Sequence, residues 1–237
     1  MNDRLVNIII TSFTKILIPG VRVTIPLTLA SFALSLVLGL LLALVQIADI
    51  KGLKQFSRFY IWIFRGTPLI VQLFIIFFGL PSIGIVLDAF PAAVLGFGLN
   101  LAAYNAEVFR SAIMAVPKGQ SEAAYLIGLS YYETMTRVIL PQAFPIAFPS
   151  LFNNLISLLK DTSLAASITV VELFTVTQQI AARTYEPFAL YLEAAFIYLI
   201  FSTLLTMLQN YLEKKLVWKT KPENMIAVDR KEGKVEA

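Results

Sequence analysis

The sequence predicts an all-α integral membrane protein built as a bundle of five transmembrane helices, and three observations predict it. First, 58% of the 237 residues are hydrophobic and only 14% are charged, against roughly 25% charged in a soluble domain. A water-facing globule of this size cannot hide that much apolar surface. Second, the charges leave five runs free of Asp, Glu, Lys and Arg, at 23–48, 66–87, 89–106, 138–159 and 194–212. About 20 helical residues at 1.5 Å each cross a hydrocarbon core of about 30 Å, and each run reaches that length, the third only just. Third, the basic residues between the runs are lopsided: with five crossings, one side collects 14 Lys and Arg and the other 5. The richer side is cytoplasmic by the positive-inside rule, which puts the N-terminus outside and the C-terminus inside.

The elements follow in order. Residues 1–18 read as an external or interfacial segment. Thr11, Ser12, Thr14 and Lys15 interrupt its apolar stretch and no small-residue cleavage site follows, so it does not read as a cleaved signal. Residues 19–215 form the membrane domain. The second span starts before its charge-free run, near Ser57, with Arg65 reaching toward an interface; Pro68 kinks it, and Pro81 and Gly84 end it. The fourth contains Pro141, Pro145 and Pro149. A helix so interrupted is tolerated where neighbours or a watery cavity satisfy the freed backbone groups, which places it inside the bundle. The 107–137 stretch is then a cytoplasmic loop, 160–193 is external, and 216–237 is a charged cytoplasmic tail.

Composition also excludes chemistry. The chain has no cysteine and no histidine, which removes disulfides, Cys/His zinc sites, thiol nucleophiles and His-dependent triads. No acidic cluster suggests an all-carboxylate metal site. The net charge of +4 is an orientation signal, not a nucleic-acid footprint. Gly233-Lys234 is followed by Val235, so no phosphate-binding G-x-x-x-x-G-K-[ST] loop exists. Three rivals to a partner-driven transporter remain. An ion-gradient-driven secondary transporter wants carboxylates or histidine within its spans, and the charge-free runs hold none. An intramembrane Ser protease would need a Ser–Lys pair, and no run contains Lys. A scaffold without a transport path is the third.

The 107–137 stretch is not a plain linker. Pro117, Gly119 and Ser121 form a break, with Ser121 placed to cap a short helix starting at Glu122. Ala123 and Ala124 give that helix a small-residue face, and Gly128 offers a turn or a close contact. These features predict a docking element that faces another protein.

Here the chain resembles the permeases of ATP-binding-cassette importers. Glu122-Ala123-Ala124, Gly128 and Leu140-Pro141 match their EAA motif, with Val138 where that motif has Ile. Arg65-Gly66-Thr67-Pro68-Leu69, Val116-Pro117-Lys118-Gly119-Gln120 and Lys160-Asp161-Thr162-Ser163-Leu164 resemble the polar-amino-acid branch. Leu87-Asp88-Ala89-Phe90-Pro91 and Glu193-Ala194-Ala195-Phe196-Ile197-Tyr198 are most similar to cystine permeases. The resemblance covers about residues 20–215. It implies a type I importer fold, with a second permease copy or a homologous permease beside this one. It also implies ATP-binding subunits that hold the ATP and Mg and seat the EAA loop, and an extracytoplasmic amino-acid-binding protein. This chain would bind no cofactor itself. The coupling residues it implies are Glu122, Ala123, Ala124, Gly128, Leu140 and Pro141.

An amino acid in transit has a carboxylate and an ammonium to balance wherever they leave water. The candidates for the path or gate are Lys160 and Asp161 at the outer end of the fourth span, Asn153 and Asn154 about two turns below, and Glu107 at the inner end of the third. The plainer readings are a local Lys160–Asp161 ion pair, a structural Glu107–Arg110 pair one helical turn apart, and interhelical bonding by Asn153, Asn154 and Gln72. Arg65 reads first as an interfacial anchor.

Overall fold

The computed structural model describes residues 3–217; the charged tail beyond Val217 lies outside them. The described residues are mostly helical, with no strand among them. Eight elements follow one another: α1 (Asp3–Ile47), α2 (Leu53–Gly66), α3 (Leu69–Ile83), α4 (Ala89–Ala115), α5 (Lys118–Leu126), α6 (Tyr131–Ile168), α7 (Leu173–Thr184) and α8 (Pro187–Val217). Three of them, α1, α4 and α8, are long and apolar enough to cross a membrane alone. Two bent pairs, α2–α3 at 106° and α6–α7 at 56°, bring the number of candidate spans to five if each pair is one span.

The expected external segment 1–18 is not separate, because residues 3–19 run straight into α1. The hydroxyls that seemed to interrupt it bond within the helix: Thr11 donates to the Asn7 carbonyl at 2.7 Å and Ser12 to the Ile8 carbonyl at 2.8 Å. Satisfied in this way, they do not compete with helix formation. Ile16 packs with Leu173 and Ala181 of α7 and with Leu190, Ala194 and Ile197 of α8.

Proline explains the irregular turns. A proline ring clashes with the carbonyl four residues earlier and leaves it without a donor. Three stretches of wider π-type turn occur, Gly20–Thr24, Ile75–Gly79 and Thr134–Ile139. They contain Arg22, Phe77 and Arg137, the residues four before Pro26, Pro81 and Pro141. Each helix opens where its proline demands room. At Pro68 the chain breaks instead, turning through the 106° bend. The orphaned Phe64 carbonyl then accepts from Gln72 Nε2 at 3.0 Å and Asn100 Nδ2 at 3.1 Å. The kink expected at Pro68 is therefore a full corner, and Gly84, with φ of 86°, closes α3.

The closest helix pair is α1 with α4. Ser31, Ser35, Gly39 and Ala43 recur every fourth residue and are all buried, so the backbones approach closely as in small-residue membrane packing. A Cβ on Gly39 would stand 2.8 Å from Asn105 Cβ and 3.1 Å from the Ala106 backbone nitrogen. The proline-rich α6 packs on α4 through Ala143, Ala147 and Leu151 and also against α8 and α1, the interior position its sequence implied. Its 3-10 end and α7 meet the N-terminal half of α1, whereas α5 sits near Ile47, at the other end of the bundle. The 107–137 stretch is less of a loop than expected: residues to Ala115 belong to α4 and those from Tyr131 to α6.

Candidate coupling surface and polar path

The α5 helix starts three residues before the expected Ser121 cap. Pro117 is its N-cap, with extended backbone (φ −57°, ψ 134°) and no side-chain cap, and Ser121 lies inside the helix, donating to the Lys118 carbonyl at 2.8 Å. The helix ends in a Schellman motif. Gly128, at φ 86°, donates to the Tyr125 carbonyl at 3.0 Å, and Leu129 donates to the Ala124 carbonyl at 3.1 Å. Two residues later a capping box, Ser130 with Glu133, starts α6. Stop and start are thus both fixed by sequence, and the 127–130 connection is a built corner.

That corner holds apolar side chains out of the bundle. Leu126 is 88% exposed and Ile127 78%, with Tyr125, Tyr131 and Tyr132 also exposed around them. Ala124 is buried and seats the helix, while Glu122 and Ala123 face outward. Glu122 makes no hydrogen bond or ion pair among the described residues. Leu140 and Pro141 do not join this tip. Leu140 packs at the edge of the α4–α6 core and Pro141 follows the π-turn of α6. Their link to α5 is the contact of Gln142 Nε2 with Gln120 Oε1 at 3.4 Å.

The polar path candidates fall into three places. Lys160 lines a cavity of about 520 Å³ between α6, α7 and α8, with Ser163, Phe174, Tyr191, Tyr198 and Ser202. It forms no ion pair with Asp161; among the described residues the ion pairs are Lys54–Asp49, Arg110–Glu107 and Arg137–Glu133. Asn154 and Asn153 lie elsewhere. Asn154 donates to Asn105 Oδ1 at 2.8 Å, and Asn105 donates to Ser35 Oγ at 2.9 Å, tying α6, α4 and α1 together. Asn153 Oδ1 accepts from Gln209 Nε2 at 3.2 Å, reaching α8. Glu107 pairs with Arg110 at 2.8 Å toward the C-terminal end of α4. Nearby, outside the spans, Lys54 beside Asp49 holds that carboxyl below its ordinary range, chiefly by a side-chain hydrogen bond. Arg65 lays its guanidinium over the Tyr104 ring, 5.3 Å from the centroid.

Several polar residues went unread in the sequence. Glu172 is fully buried although it lies in the stretch read as external. Its carboxylate caps α7 by accepting from Phe174 N at 2.8 Å and Thr175 N at 2.7 Å, and it also accepts from Tyr198 OH at 3.1 Å. Glu193 is buried as well, with one carboxylate oxygen 2.6 Å from Ser12 Oγ, whose one proton is shared between that oxygen and the Ile8 carbonyl. Neither lies in a charge-free run, so counting runs could not find them. Asn105 and Asn100, by contrast, stand within the third run and were legible as intramembrane amides.

Residues 35–218 match the family of binding-protein-dependent transport system inner membrane components. The chain belongs to this family. Among its relatives, the permease is 48% identical over 206 residues to the L-cystine transport system permease protein TcyB of Bacillus subtilis (strain 168), covering 86% of this chain and 88% of that one. It is 40% identical over 210 residues to the L-cystine transport system permease protein TcyL of the same organism, covering 84% and 88%. Its structure matches the crystal structure of an amino acid ABC transporter with histidines, with a TM-score of 0.82 at 33% identity, over 91% of this chain and all of that one. The relatives are amino-acid permeases of ABC transporters, so the permease reading holds over an ion-gradient-driven transporter.

Proposed function

We propose that this chain is the membrane-spanning permease subunit of an ATP-driven amino-acid importer, with L-cystine as the substrate. The observation that carries it is the 48% identity to an L-cystine permease across 86% of the chain. The exposed α5 tip supports the mechanical half of the reading. A surface of Leu126, Ile127 and three tyrosines at a rigid helical corner is the kind of face another protein covers. Each bent pair, α2–α3 and α6–α7, counts as one span, giving five, with α5 and the tail in the cytoplasm and α7 outside.

In this mechanism ATP and Mg belong to the ATP-binding subunits, and Glu122, Ala123, Ala124 and Gly128 form the helix that those subunits grip. Leu140 and Pro141 shape the foot of α6, which transmits the movement into the bundle. A second permease copy or a homologous permease completes the path, and an extracytoplasmic binding protein delivers the amino acid. Lys160, in its cavity with Ser163 and Tyr198, is placed to meet the substrate carboxylate. Asp161 borders the outer gate beside it, and Glu107, held by Arg110, braces the inner end of α4 outside the path. Asn153 and Asn154 act as bonds between helices. The test is uptake in proteoliposomes that contain this permease, its ATP-binding partner and its binding protein. ATP-dependent accumulation of labelled cystine, competed by unlabelled cystine and not by glutamine, is expected. Accumulation that follows an imposed proton or sodium gradient without ATP would overturn the reading.

A further inference from the structure

A second polar cavity, of about 600 Å³, lies where α1 ends, α2 begins and α4 approaches its C-terminus, lined by Gln46, Asp49, Lys54, Arg58, Glu107 and Arg110. Its charges do not balance. Lys54 pairs with Asp49 and Arg110 with Glu107, while Arg58 has no ion-pair partner among the described residues. One positive charge is left, presented as a guanidinium, the group best shaped to bind a phosphate through two parallel hydrogen bonds. The carboxylates remain open to more bonding, since each has several lone pairs and can accept from hydroxyl donors. Outside the cavity lining, α2 also exposes Phe56, Phe59 and Trp62, of which Trp62, at 71%, stands one helical turn from Arg58 on the same side of the helix. Exposed aromatic rings next to Lys and Arg mark the level of lipid headgroups.

We propose that this cavity binds the headgroup of an anionic, hydroxyl-bearing phospholipid of phosphatidylglycerol type, with its phosphodiester on Arg58 and its hydroxyls on the paired carboxylates. The net charge of the site matches a monoanion and disfavours a zwitterionic headgroup. The aromatic face of α2 gives the acyl chains a place to lie, which a soluble phosphate would not use. Placing the lipid in the cytoplasmic leaflet rests on the orientation proposed above. The binding itself does not, because it can be measured on the purified chain.

Native mass spectrometry of the detergent-purified chain, titrated with phosphatidylglycerol, phosphatidylcholine and soluble glycerol phosphate, tests the site. Phosphatidylglycerol adducts are expected to outlast phosphatidylcholine adducts and to weaken at high salt. Arg58→Gln should lower phosphatidylglycerol affinity about tenfold, the loss expected for a hydrogen bond between charged groups. Arg183→Gln, on exposed α7, should leave it unchanged. Equal binding of both lipids, displacement of phosphatidylglycerol by an equal concentration of glycerol phosphate, or unchanged binding by Arg58→Gln would each overturn the proposal. If Arg58→Gln does not fold, the selectivity of the unaltered chain between the two lipids still decides. A failure of orientation alone would show up in side-specific labelling while the lipid selectivity stood.

Discussion

Gly128 separates two accounts of why the α5 corner has a glycine. Its φ is 86°, and nothing lies within 4 Å of where a Cβ would be. In the subunit alone, then, a side chain at 128 meets no neighbour and is resisted by backbone conformation. The left-handed region costs a residue with a Cβ about 1–2 kcal/mol, a factor of roughly 5–30 in the population of the correct corner. Asparagine tolerates that region several-fold better than most residues. If glycine is there for the turn, Gly128→Asn should retain more ATP-coupled uptake than Gly128→Ala, although asparagine is larger. If glycine is there to let a partner approach, size decides and the order reverses. The turn is the account the Schellman hydrogen bonds support. The assay is ATP-dependent uptake in proteoliposomes, normalised to assembled complex. Alanine performing as well as or better than asparagine would refute the reasoning.

Other outcomes follow from the same geometry. Gly39→Ala should lower the thermal unfolding midpoint of the purified chain by the equivalent of about 1–3 kcal/mol, the usual cost of overpacking, because its Cβ meets backbone and not a movable side-chain tip. Gly119→Ala, with open space around it, should not, and equal midpoints would disprove the tight α1–α4 contact. A single cysteine at exposed Gln120 should react with an impermeant thiol reagent only from the cytoplasmic side, and one at exposed Gln178 only from outside; labelling of Gln120→Cys in intact cells would sink the five-span orientation. Thr177 next to Gln178 is fully buried and would report packing instead. Lys160→Met should reduce cystine uptake far more than it reduces assembled, ATPase-bound complex. A fall in uptake merely proportional to complex would make Lys160 structural.

What the sequence revealed, and what it hid, has a physical pattern. Crossing a hydrocarbon core excludes charge, so the runs 89–106 and 194–212 became α4 and α8. Those helices extend beyond the runs, to Ala115 and back to Pro187, because a helix continues past the apolar region wherever its backbone bonds are met. The first run likewise extends, back to Asp3, in one continuous helix. There the hydroxyls of Thr11 and Ser12 bond to their own helix, which no polarity count reveals. Prolines told where a helix must give way but not how. At Pro26 and Pro141 the helix widens into a π-turn, while at Pro68 it turns a corner held by Gln72 and Asn100. Glu172 was invisible for a different reason: its partners, Thr24 and Tyr198, lie 148 and 26 residues away in sequence. The short helix α5 was legible as an element, but Leu126 at its end and Ile127 just after it are the most exposed apolar side chains of this corner, and their exposure could only be seen once Ala124 was known to face inward.

The central claim, that the α5 tip is where an ATP-binding subunit grips this permease, has one direct test. The natural chain has no cysteine, so Leu126→Cys provides a single reporter at the most exposed apolar position of the corner. Its reaction rate with a maleimide should be measured in inside-out membranes before and after the ATP-binding subunit is added. The account requires strong protection at Leu126→Cys when the subunit is bound, none at Gln178→Cys measured from the outer side, and release of the protection when the subunit is stripped away. An unchanged rate at Leu126→Cys in a complex that still transports amino acid would contradict it.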